Sequence, residues 1–337
     1  MRRSNSFRAL AAIAGLSASM ALTSCSSGGS GGGSDDKVTG KLNGAGASFP
    51  AAIYQRWFQE LQPEGVTVNY QSVGSGAGVR QFTANTVDFG ASDKPMKEAE
   101  IAKVDRGVLQ IPMTAGAIAV AYNLEGCDLK LSTEQLAGIF LGKIKNFSEL
   151  GCADQKLTVV RRSDGSGTTY NVTKHLSAIS DEWKNGPGAA KSIKWPTGVG
   201  SKGNEGVAAQ LNQIPGGVGY VEAAYVKGKL QAAAVTNASG ELVKPTNETE
   251  SAALDSIDIG PDLIGGNPNP PAGYPIVTFT WVLAYETGNG DKTAALKKTF
   301  EFMLSDKAQS QAPELGYVSL PKGVVEKSLA AVEKISE

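Results

Sequence analysis

The chain alternates between short segments that suit β-strands and longer segments with a helical period. Val66–Tyr70 carries apolar residues at every second position, and Ile276–Tyr285 approximates the same alternation. Gly116–Tyr122 and Leu157–Val160 are continuous apolar runs of the kind found in buried strands. Four strands are therefore expected, separated by stretches of different periodicity.

Two amphipathic helices are predicted from apolar residues that recur three or four positions apart. Their apolar faces consist of Ile53, Trp57 and Leu61 in the first helix and of Val172, Leu176 and Ile179 in the second. The Pro- and Gly-rich segment 260–275 is expected to be a loop. Strands that alternate with helices are typical of an α/β architecture, which is the fold class that the pattern predicts.

Composition narrows the function classes. With 337 residues, of which 41% are apolar and 19% charged, the chain can form a sizeable core and roughly two domains. A single histidine argues against a His-rich metal site, and a formal net charge of −1 argues against a general nucleic-acid binder. We expect neither a metal nor a cofactor.

Residues 1–24 have the pattern of a signal peptide. Three arginines precede the apolar stretch Ala9–Thr23, which is too short and too rich in Ala and Ser to span a bilayer stably. The stretch ends in Leu22-Thr23-Ser24-Cys25, which resembles a bacterial lipobox. Lipidation of Cys25 is the favoured interpretation, and a simple signal peptide with an accidental cysteine is the alternative.

The segment 25–37 is expected to tether a folded domain to a membrane. Gly28–Ser34 contains only Gly and Ser, a flexible composition. The protein is therefore predicted to be exported and held at a periplasmic or cell-surface face. Removal of residues 1–24 leaves 29 basic side chains against 33 acidic ones, so a bound anion would have to be attracted by a local site.

Two cysteines remain in the mature chain, Cys127 and Cys152, with 24 residues between them. In an exported chain an even number of cysteines favours a disulfide. Two buried free thiols are the alternative, and neither the spacing nor the neighbouring residues indicate a metal site.

Four predicted helices are preceded by segments that could bind an anion, and three of these segments are rich in Gly and hydroxyl residues. A helix start leaves backbone N–H groups without acceptors and is partially positive, so a small oxyanion is its natural guest. One such start is usually only a capped helix, but four together, one with an arginine pair that supplies a forked charged donor, indicate a site. The segments are Gly44–Pro50 with Ser48 as the expected N-cap, Gly74–Gly78, Ser92–Pro95 ahead of a helix in Met96–Val104, and Arg161–Thr168.

The sequence gives little support for a nucleotide-binding site or a hydrolase active site. Gly138–Ile144 has the wrong spacing for a phosphate-binding P-loop, and the Gly-x-Gly-x-x-Gly match Gly198–Gly203 follows Trp195-Pro196 rather than a clear strand. No Gly-x-Ser-x-Gly occurs, and His175 falls inside a predicted helix, where a surface or packing role is expected. The residues do not favour an enzyme.

With these segments the sequence resembles the phosphate-binding proteins of bacterial ABC phosphate importers, from about Leu42 to about Val325. The order of the matching stretches makes the resemblance specific. They are Gly44-Ala-Gly-Ala-Ser-Phe-Pro50, Val87-Asp-Phe-Gly-Ala-Ser-Asp93, Val160-Arg-Arg-Ser-Asp-Gly-Ser-Gly-Thr168, Lys194-Trp-Pro196, Gly203-Asn204 and Gly219-Tyr-Val-Glu222.

The resemblance implies a two-lobed periplasmic-binding-protein fold of type II with the anion in the cleft between the lobes. Lobe I would combine 38–111 with 276–337, lobe II would be 112–275, and two chain crossings would form the hinge. The protein would be a monomer that passes phosphate to an ABC permease. A receptor for another oxyanion such as sulfate or molybdate, a phosphate sensor or surface protein, and a phosphate-ester enzyme are the rival functions.

The resemblance also assigns the phosphate-binding groups. Asp164 would orient the fork of Arg162, and Asp93 would select for an anion that still carries a proton, because an ionised carboxylate accepts hydrogen bonds but cannot donate them. Sulfate would instead meet Asp93 as an unpaired like charge. The residues expected on phosphate are Ser48, Phe49, Ser75, Asp93, Arg162, Ser166, Gly167 and Thr168.

Overall fold

The structure is a computed structural model, and it describes residues 38–337. The predicted signal peptide, the lipidation site Cys25 and the tether lie outside the described residues. Residues 38–337 pack as one compact unit. None of the helices in the described part has the length and apolar character that a membrane span requires.

The strands follow the predicted periodicity and add short ones that the sequence did not mark. In chain order they are β1 (Gly40–Gly46), β2 (Val66–Ser72), β3 (Phe89–Ser92), β4 (Leu109–Asn123), β5 (Lys130–Leu131), β6 (Thr158–Arg162), β7 (Val199–Ser201), β8 (Gly217–Glu222), β9 (Gln231–Ala232), β10 (Ala234–Thr236), β11 (Leu242–Val243) and β12 (Val277–Ala284).

Helices separate most of these strands. They are α1 (Ala51–Leu61), α2 (Ser75–Thr83), α3 (Glu98–Ile101), α4 (Thr133–Phe140), α5 (Gly167–Ile179), α6 (Asp181–Asn185), α7 (Gly203–Gln213), α8 (Asn247–Leu254), α9 (Thr293–Leu304), α10 (Asp306–Gln309) and α11 (Lys322–Val332). Short 3-10 turns lie at Gln62–Glu64, Phe147–Leu150, Ala223–Tyr225, Gly290–Lys292 and Pro313–Leu315. The predicted α/β class is confirmed.

A sheet of nine strands crosses the molecule in the order β2-β1-β3-β12-β4-β8-β6-β7, with β9 beside β4. The strands β1, β2 and β3 are mutually parallel, and so are β6, β7 and β8, whereas β12 and β4 run antiparallel to their neighbours. A second sheet contains β11, β10 and β5. The carboxyl ends of the parallel strands carry the loops in which ligands of α/β proteins commonly bind.

The fifteen-residue strand β4 belongs to both halves of the large sheet. Its first part pairs with β12 as far as Ala117, opposite Val277, and its second part pairs with β8 from Ile118, opposite Glu222. The change of partner occurs between adjacent residues. The continuous apolar run predicted at Gly116–Tyr122 therefore lies where the two halves meet, and all of its residues are buried.

Both predicted amphipathic helices are present, and the apolar face of each packs into the hydrophobic core. Ile53, Trp57 and Leu61 of α1 are fully buried, and so is Leu176 of α5. The helix predicted at Met96–Val104 is much shorter, since α3 has only four residues. Lys97 has an extended backbone (φ −78°, ψ 156°) and is the N-cap of α3, so residues before Glu98 are not helical.

The predicted disulfide is present: Cys127, after β4, is bonded to Cys152, with a Cα–Cα distance of 5.4 Å. Replacing both cysteines by serine is expected to lower the free energy of unfolding by about 3 kcal/mol, because the cross-link restricts the unfolded chain. Denaturant unfolding of the purified protein measures this change. An unchanged unfolding midpoint would show that the bond contributes nothing to stability.

Candidate functional site

Four chain segments meet at the carboxyl ends of parallel strands. Ser48–Phe49 follow β1, Ser75 opens α2 after β2, Asp93 follows β3, and the fourth segment runs from Arg162 at the end of β6 to Thr168 in the first turn of α5. Their contacts are direct. The Ser75 hydroxyl accepts hydrogen bonds from the backbone N–H of Asp93 at 3.2 Å and from that of Gly167 at 3.1 Å. The structure thus brings the sequence-predicted residues together in one crevice.

The site is rich in hydrogen-bond donors and is closed to solvent. Ser48 and the residues Ser75, Arg162 and Thr168 are each at most 3% exposed. Within residues 38–337, the backbone N–H groups of Phe49, Ser75 and Thr168 have no hydrogen-bond acceptor. Buried N–H groups without partners are rare in native proteins, and three in one crevice indicate that a ligand accepts from them.

Two tyrosines fix the peptides on either side of Phe49, the first of which presents the Phe49 N–H. The hydroxyl of Tyr225 donates to the carbonyl of Ser48 at 2.8 Å, and the hydroxyl of Tyr317 donates to the carbonyl of Phe49 at 2.8 Å. In a trans peptide the C=O and N–H point in opposite directions, so the bond from Tyr225 turns the Phe49 N–H away from that tyrosine. The donor is therefore held in place before any ligand binds.

Arg162 supplies the positive charge of the site. Its Nε donates to Asp164 Oδ1 at 2.7 Å, a second guanidinium nitrogen contacts the other carboxylate oxygen, and Nη1 lies 3.5 Å from the Thr168 hydroxyl. Burial alone would raise the pKa of Asp164, but the hydrogen bonds and charge of Arg162 outweigh it and hold that pKa below its usual value. The ion pair fixes the guanidinium plane while part of it faces the crevice.

Asp93 is the carboxylate of the site that forms no ion pair among the described residues. Its Oδ1 accepts from the hydroxyl of Thr280 at 2.8 Å, and its Oδ2 accepts from that of Ser75 at 3.3 Å. Burial raises the pKa of Asp93 to about 7, despite these bonds and the positive charge of Arg162. Near neutral pH this group can therefore share a proton with a bound anion.

Asn204 and Thr280 are site residues to which the sequence reasoning gave no role. Asn204, at the start of α7, donates from its backbone and its side chain to the Ser48 hydroxyl, each at 2.9 Å. The stretch Gly203-Asn204 is one of those that carry the family resemblance, but the resemblance alone assigns no role to Asn204. Thr280 lay in a predicted strand, and only the pairing of β12 with β3 brings it to Asp93.

Two predicted helix starts are wrong in detail. Ser48 is not the N-cap of α1, since Pro50 occupies that position without a side-chain cap and the Ser48 hydroxyl accepts from Asn204 instead. The segment Ser92–Pro95 does not open a helix either, because α3 begins only at Glu98. The helices expected at the other two segments are present. The first, α2, begins at Ser75, inside the segment Gly74–Gly78 that was expected to precede it, and α5 begins at Gly167, where Ser166 caps it by accepting from Thr169.

The Gly-x-Gly-x-x-Gly match also differs from its expected setting. Val199–Ser201 within the motif form β7, and α7 begins at Gly203, so the motif contains a strand and a helix start that the sequence did not reveal. His175 is a packing residue, buried inside α5 with its Nδ1 at 2.7 Å from the carbonyl of Pro268. Burial lowers the pKa of His175 to about 4, which keeps the ring neutral.

The fold and this buried donor cluster define a two-lobed substrate-binding protein of the periplasmic-binding-protein type. Residues 32–307 match the family model described as PBP superfamily domain. A phosphate-binding protein PstS of Pasteurella multocida is 40% identical over 306 residues, which are 85% of this chain and 88% of that protein. The chain therefore belongs to the family of PstS phosphate-binding proteins.

Two further similarities agree with this membership. The PstS phosphate-binding protein of Haemophilus influenzae is 40% identical over 302 residues, 84% of this chain and 90% of that protein. The crystal structure of a human phosphate binding apolipoprotein superposes with a TM-score of 0.74 at 22% identity, over 86% of this chain and 93% of that one. The second similarity supports the fold alone.

Proposed function

We propose that this protein binds inorganic phosphate in the crevice between its lobes and delivers it to an ABC-type phosphate permease. The main support for this proposal is a buried cluster of hydrogen-bond donors. It contains the guanidinium of Arg162 and the backbone N–H groups of Phe49, Ser75 and Thr168, which have no acceptor within residues 38–337. These groups would all donate to a tetrahedral oxyanion. The 40% identity to a PstS phosphate-binding protein supports the same ligand.

Asp93 supports phosphate over other oxyanions. Phosphate keeps a proton near neutral pH and can donate it to the carboxylate, whereas sulfate has none to offer. In a dry crevice a sulfate would therefore leave two like charges facing each other. Thr280 and Ser75 hold both carboxylate oxygens and so fix the acceptor that makes this distinction.

The remaining residues of the predicted set would bind through α5. The hydroxyl and N–H of Thr168 would donate directly, and Gly167 lets the helix start approach Ser75 and Asp93. Ser166 would act mainly by capping α5, because its hydroxyl accepts from the N–H of Thr169 at 3.0 Å. Asp164 would keep the Arg162 fork in its binding orientation.

Binding would proceed by closure of two lobes, for which we keep the division 38–111 plus 276–337 and 112–275. Contacts across that division are present in the structure: Asn204 to the Ser48 hydroxyl, Gly167 to that of Ser75, and the Asn171 side chain to the Asp93 carbonyl at 2.7 Å. In a closed state these bonds would hold the two lobes together. An anion that bridges both lobes would favour that state by population shift.

We further propose that the protein is an exported monomer, anchored by a lipid at Cys25 and by the Gly/Ser tether. It would be a receptor and not an enzyme, because capture and release require no bond to be broken. No turnover of a generic phosphomonoester is expected. Mass spectrometry of the membrane fraction would detect the lipid on Cys25, and an unmodified amino-terminal region would refute the anchor.

Calorimetric titration of the purified protein with phosphate and with sulfate at neutral pH tests the proposed ligand. Phosphate should bind with a far lower Kd than sulfate. Tighter binding of sulfate, or no binding of phosphate, would refute the proposal. Uptake of phosphate at limiting supply by a strain that lacks the gene tests delivery, and unchanged uptake would favour a sensor.

Gly167→Ala is expected to weaken phosphate binding because the closed state has no room for a methyl group there. A Cβ at this position would lie 2.6 Å from the Ser75 hydroxyl oxygen and 2.7 Å from an Asp93 carboxylate oxygen. Overpacking of this kind costs about 1–3 kcal/mol, or roughly 5- to 150-fold in Kd.

Gly206→Ala is the matched control, since a Cβ there meets its nearest neighbour at an ordinary 3.7 Å. Titration of both variants with phosphate gives the comparison. Equal affinities would show that the contact of Gly167 with Ser75 and Asp93 does not belong to the binding state.

A further inference from the structure

Asn204 occupies a central position in the crevice, although it belongs to none of the four segments from which the site was predicted. It is fully buried, and its backbone N–H and side-chain amide form hydrogen bonds with Ser48, Thr168 and Glu222, which lie in three different parts of the chain. Resting on the proposed function, we propose that Asn204 is a positioning residue that forces the hydroxyls of Ser48 and Thr168 to act as hydrogen-bond donors toward the bound phosphate.

The orientation of the Asn204 amide follows from its one neighbour that can only donate. The backbone N–H of Glu222 lies 3.0 Å from Oδ1 of Asn204. Because an N–H cannot accept, the atom that faces it must be the amide oxygen, and the NH₂ group must face the other way. Strand β8, in which Glu222 lies, thus fixes the direction in which Asn204 donates.

The Ser48 hydroxyl receives two of these donors. The backbone N–H and the Nδ2 of Asn204 both lie 2.9 Å from Ser48 Oγ. A hydroxyl oxygen has two lone pairs and one proton. With both lone pairs engaged, the remaining direction of the Ser48 hydroxyl carries its proton, and no acceptor within residues 38–337 takes it.

The Thr168 hydroxyl is saturated in the same way. The second proton of Asn204 Nδ2 is directed at Thr168 Oγ1, 3.2 Å away, and Nη1 of Arg162 lies 3.5 Å from the same oxygen. Both neighbours can only donate. The Thr168 hydroxyl is therefore also left with a proton to offer and without a lone pair to present.

This arrangement removes an ambiguity that serine and threonine otherwise bring to an anion site. A freely rotating hydroxyl can turn a lone pair toward an anion or accept from a water molecule, and either weakens binding. Asn204 sets the polarity of both hydroxyls before the anion arrives, which is preorganisation in the electrostatic sense. Since Ser48 and Thr168 belong to different proposed lobes, the hydrogen bonds of the Asn204 amide would also stabilise the closed state.

The first experiment measures phosphate affinity by calorimetry in Asn204→Ala and in Asn212→Ala. Asn212 lies in the same helix, and its Nδ2 donates to the backbone of Ala208 and Lys227, away from the site. We expect Asn204→Ala to raise the Kd for phosphate roughly 10- to 100-fold, and Asn212→Ala to leave it unchanged. Equal Kd values for wild type and Asn204→Ala would overturn the inference.

A merely structural role is separated by removing the two hydroxyls. In a Ser48→Ala, Thr168→Val background, Asn204→Ala should cause no further loss of affinity, since the groups through which Asn204 acts are gone. An undiminished loss in that background would overturn the inference. Unfolding of each variant without phosphate gives its stability, so that a folding defect is recognised independently of binding.

Asn204→Asp supplies a pH-dependent readout. The aspartate keeps an acceptor for the Glu222 N–H, but as an ionised carboxylate its other oxygen accepts from the two hydroxyls and reverses their polarity. Protonation restores a donor at that oxygen. The ratio of variant to wild-type Kd should therefore be largest at pH 8 and shrink toward pH 5, and a ratio that does not change with pH would overturn the inference.

The same measurements keep the inference distinct from the proposed function. If wild-type protein does not bind phosphate, both are refuted. If wild-type protein binds phosphate and Asn204→Ala binds it equally well, the function stands and the role of Asn204 is refuted.

Discussion

Replacement of Arg162 by alanine is expected to weaken phosphate binding by about 2–5 kcal/mol, or roughly 30- to 5,000-fold in Kd. In the proposed site the guanidinium would be the charged donor, and because Arg162 is only 3% exposed, little water would compete with the anion for it. Its removal also leaves Asp164 without the partner that lowers its pKa, so a negative charge then lies beside the anion. Most of the loss should appear as faster dissociation of phosphate.

Arg161→Ala is the control for this variant. Arg161 is the preceding residue of β6, and its Nη1 donates to the backbone carbonyl of Arg162 at 3.3 Å. Its removal should change phosphate affinity little. If Arg162→Ala binds as wild type does and Arg161→Ala loses affinity, Arg161 and not Arg162 is the arginine of the site.

Asp93→Asn is expected to relax the discrimination between phosphate and sulfate by at least about 100-fold, since like charges facing each other in a buried site cost several kcal/mol. The amide nitrogen of asparagine can donate to a sulfate oxygen, whereas the carboxylate repels it. Phosphate loses the acceptor for its proton at the same time. The ratio of the two Kd values, measured by titration at pH 7.5, is the relevant quantity.

The elevated pKa of Asp93 sets the pH range of this test. Burial raises that pKa to about 7, so the ionised form that repels sulfate predominates above pH 7 and is lost as the pH falls. Selectivity of the wild type should decline on acidification, and that of Asp93→Asn should depend less on pH. Asp105→Asn, at an exposed position, controls for the loss of one negative charge. Unchanged selectivity in Asp93→Asn would exclude its assigned role.

The elements that could be predicted from sequence are those governed by local pattern. The four-residue spacing of Ile53, Trp57 and Leu61 is sufficient for α1, because a helix with one apolar face must bury it. Likewise Ser166 before the Val172 and Leu176 face marks the start of α5. The four candidate segments could also be recognised locally, but their convergence on one anion was implied by the family resemblance and not by local pattern.

What could not be predicted depends on contacts between distant segments. The sequence around Ser48 is typical of a helix N-cap. The Ser48 hydroxyl nevertheless accepts two hydrogen bonds from Asn204, 156 positions away, and does not cap α1. The partner of Asp93 is Thr280, 187 positions away, because β12 returns to the sheet beside β3. Sequence spacing carries no information on such pairings, because they are determined by the order of the strands in the sheet.

The strand β4 limits how this molecule can be divided. Because one uninterrupted segment, Leu109–Asn123, supplies edges to β12 on one part of its length and to β8 on the other, a fragment that ends within it would expose unpaired backbone groups on a long apolar strand. Such edges favour aggregation. We therefore expect neither half to be stable when produced separately, and a permuted or split version of the protein should keep Leu109–Asn123 intact.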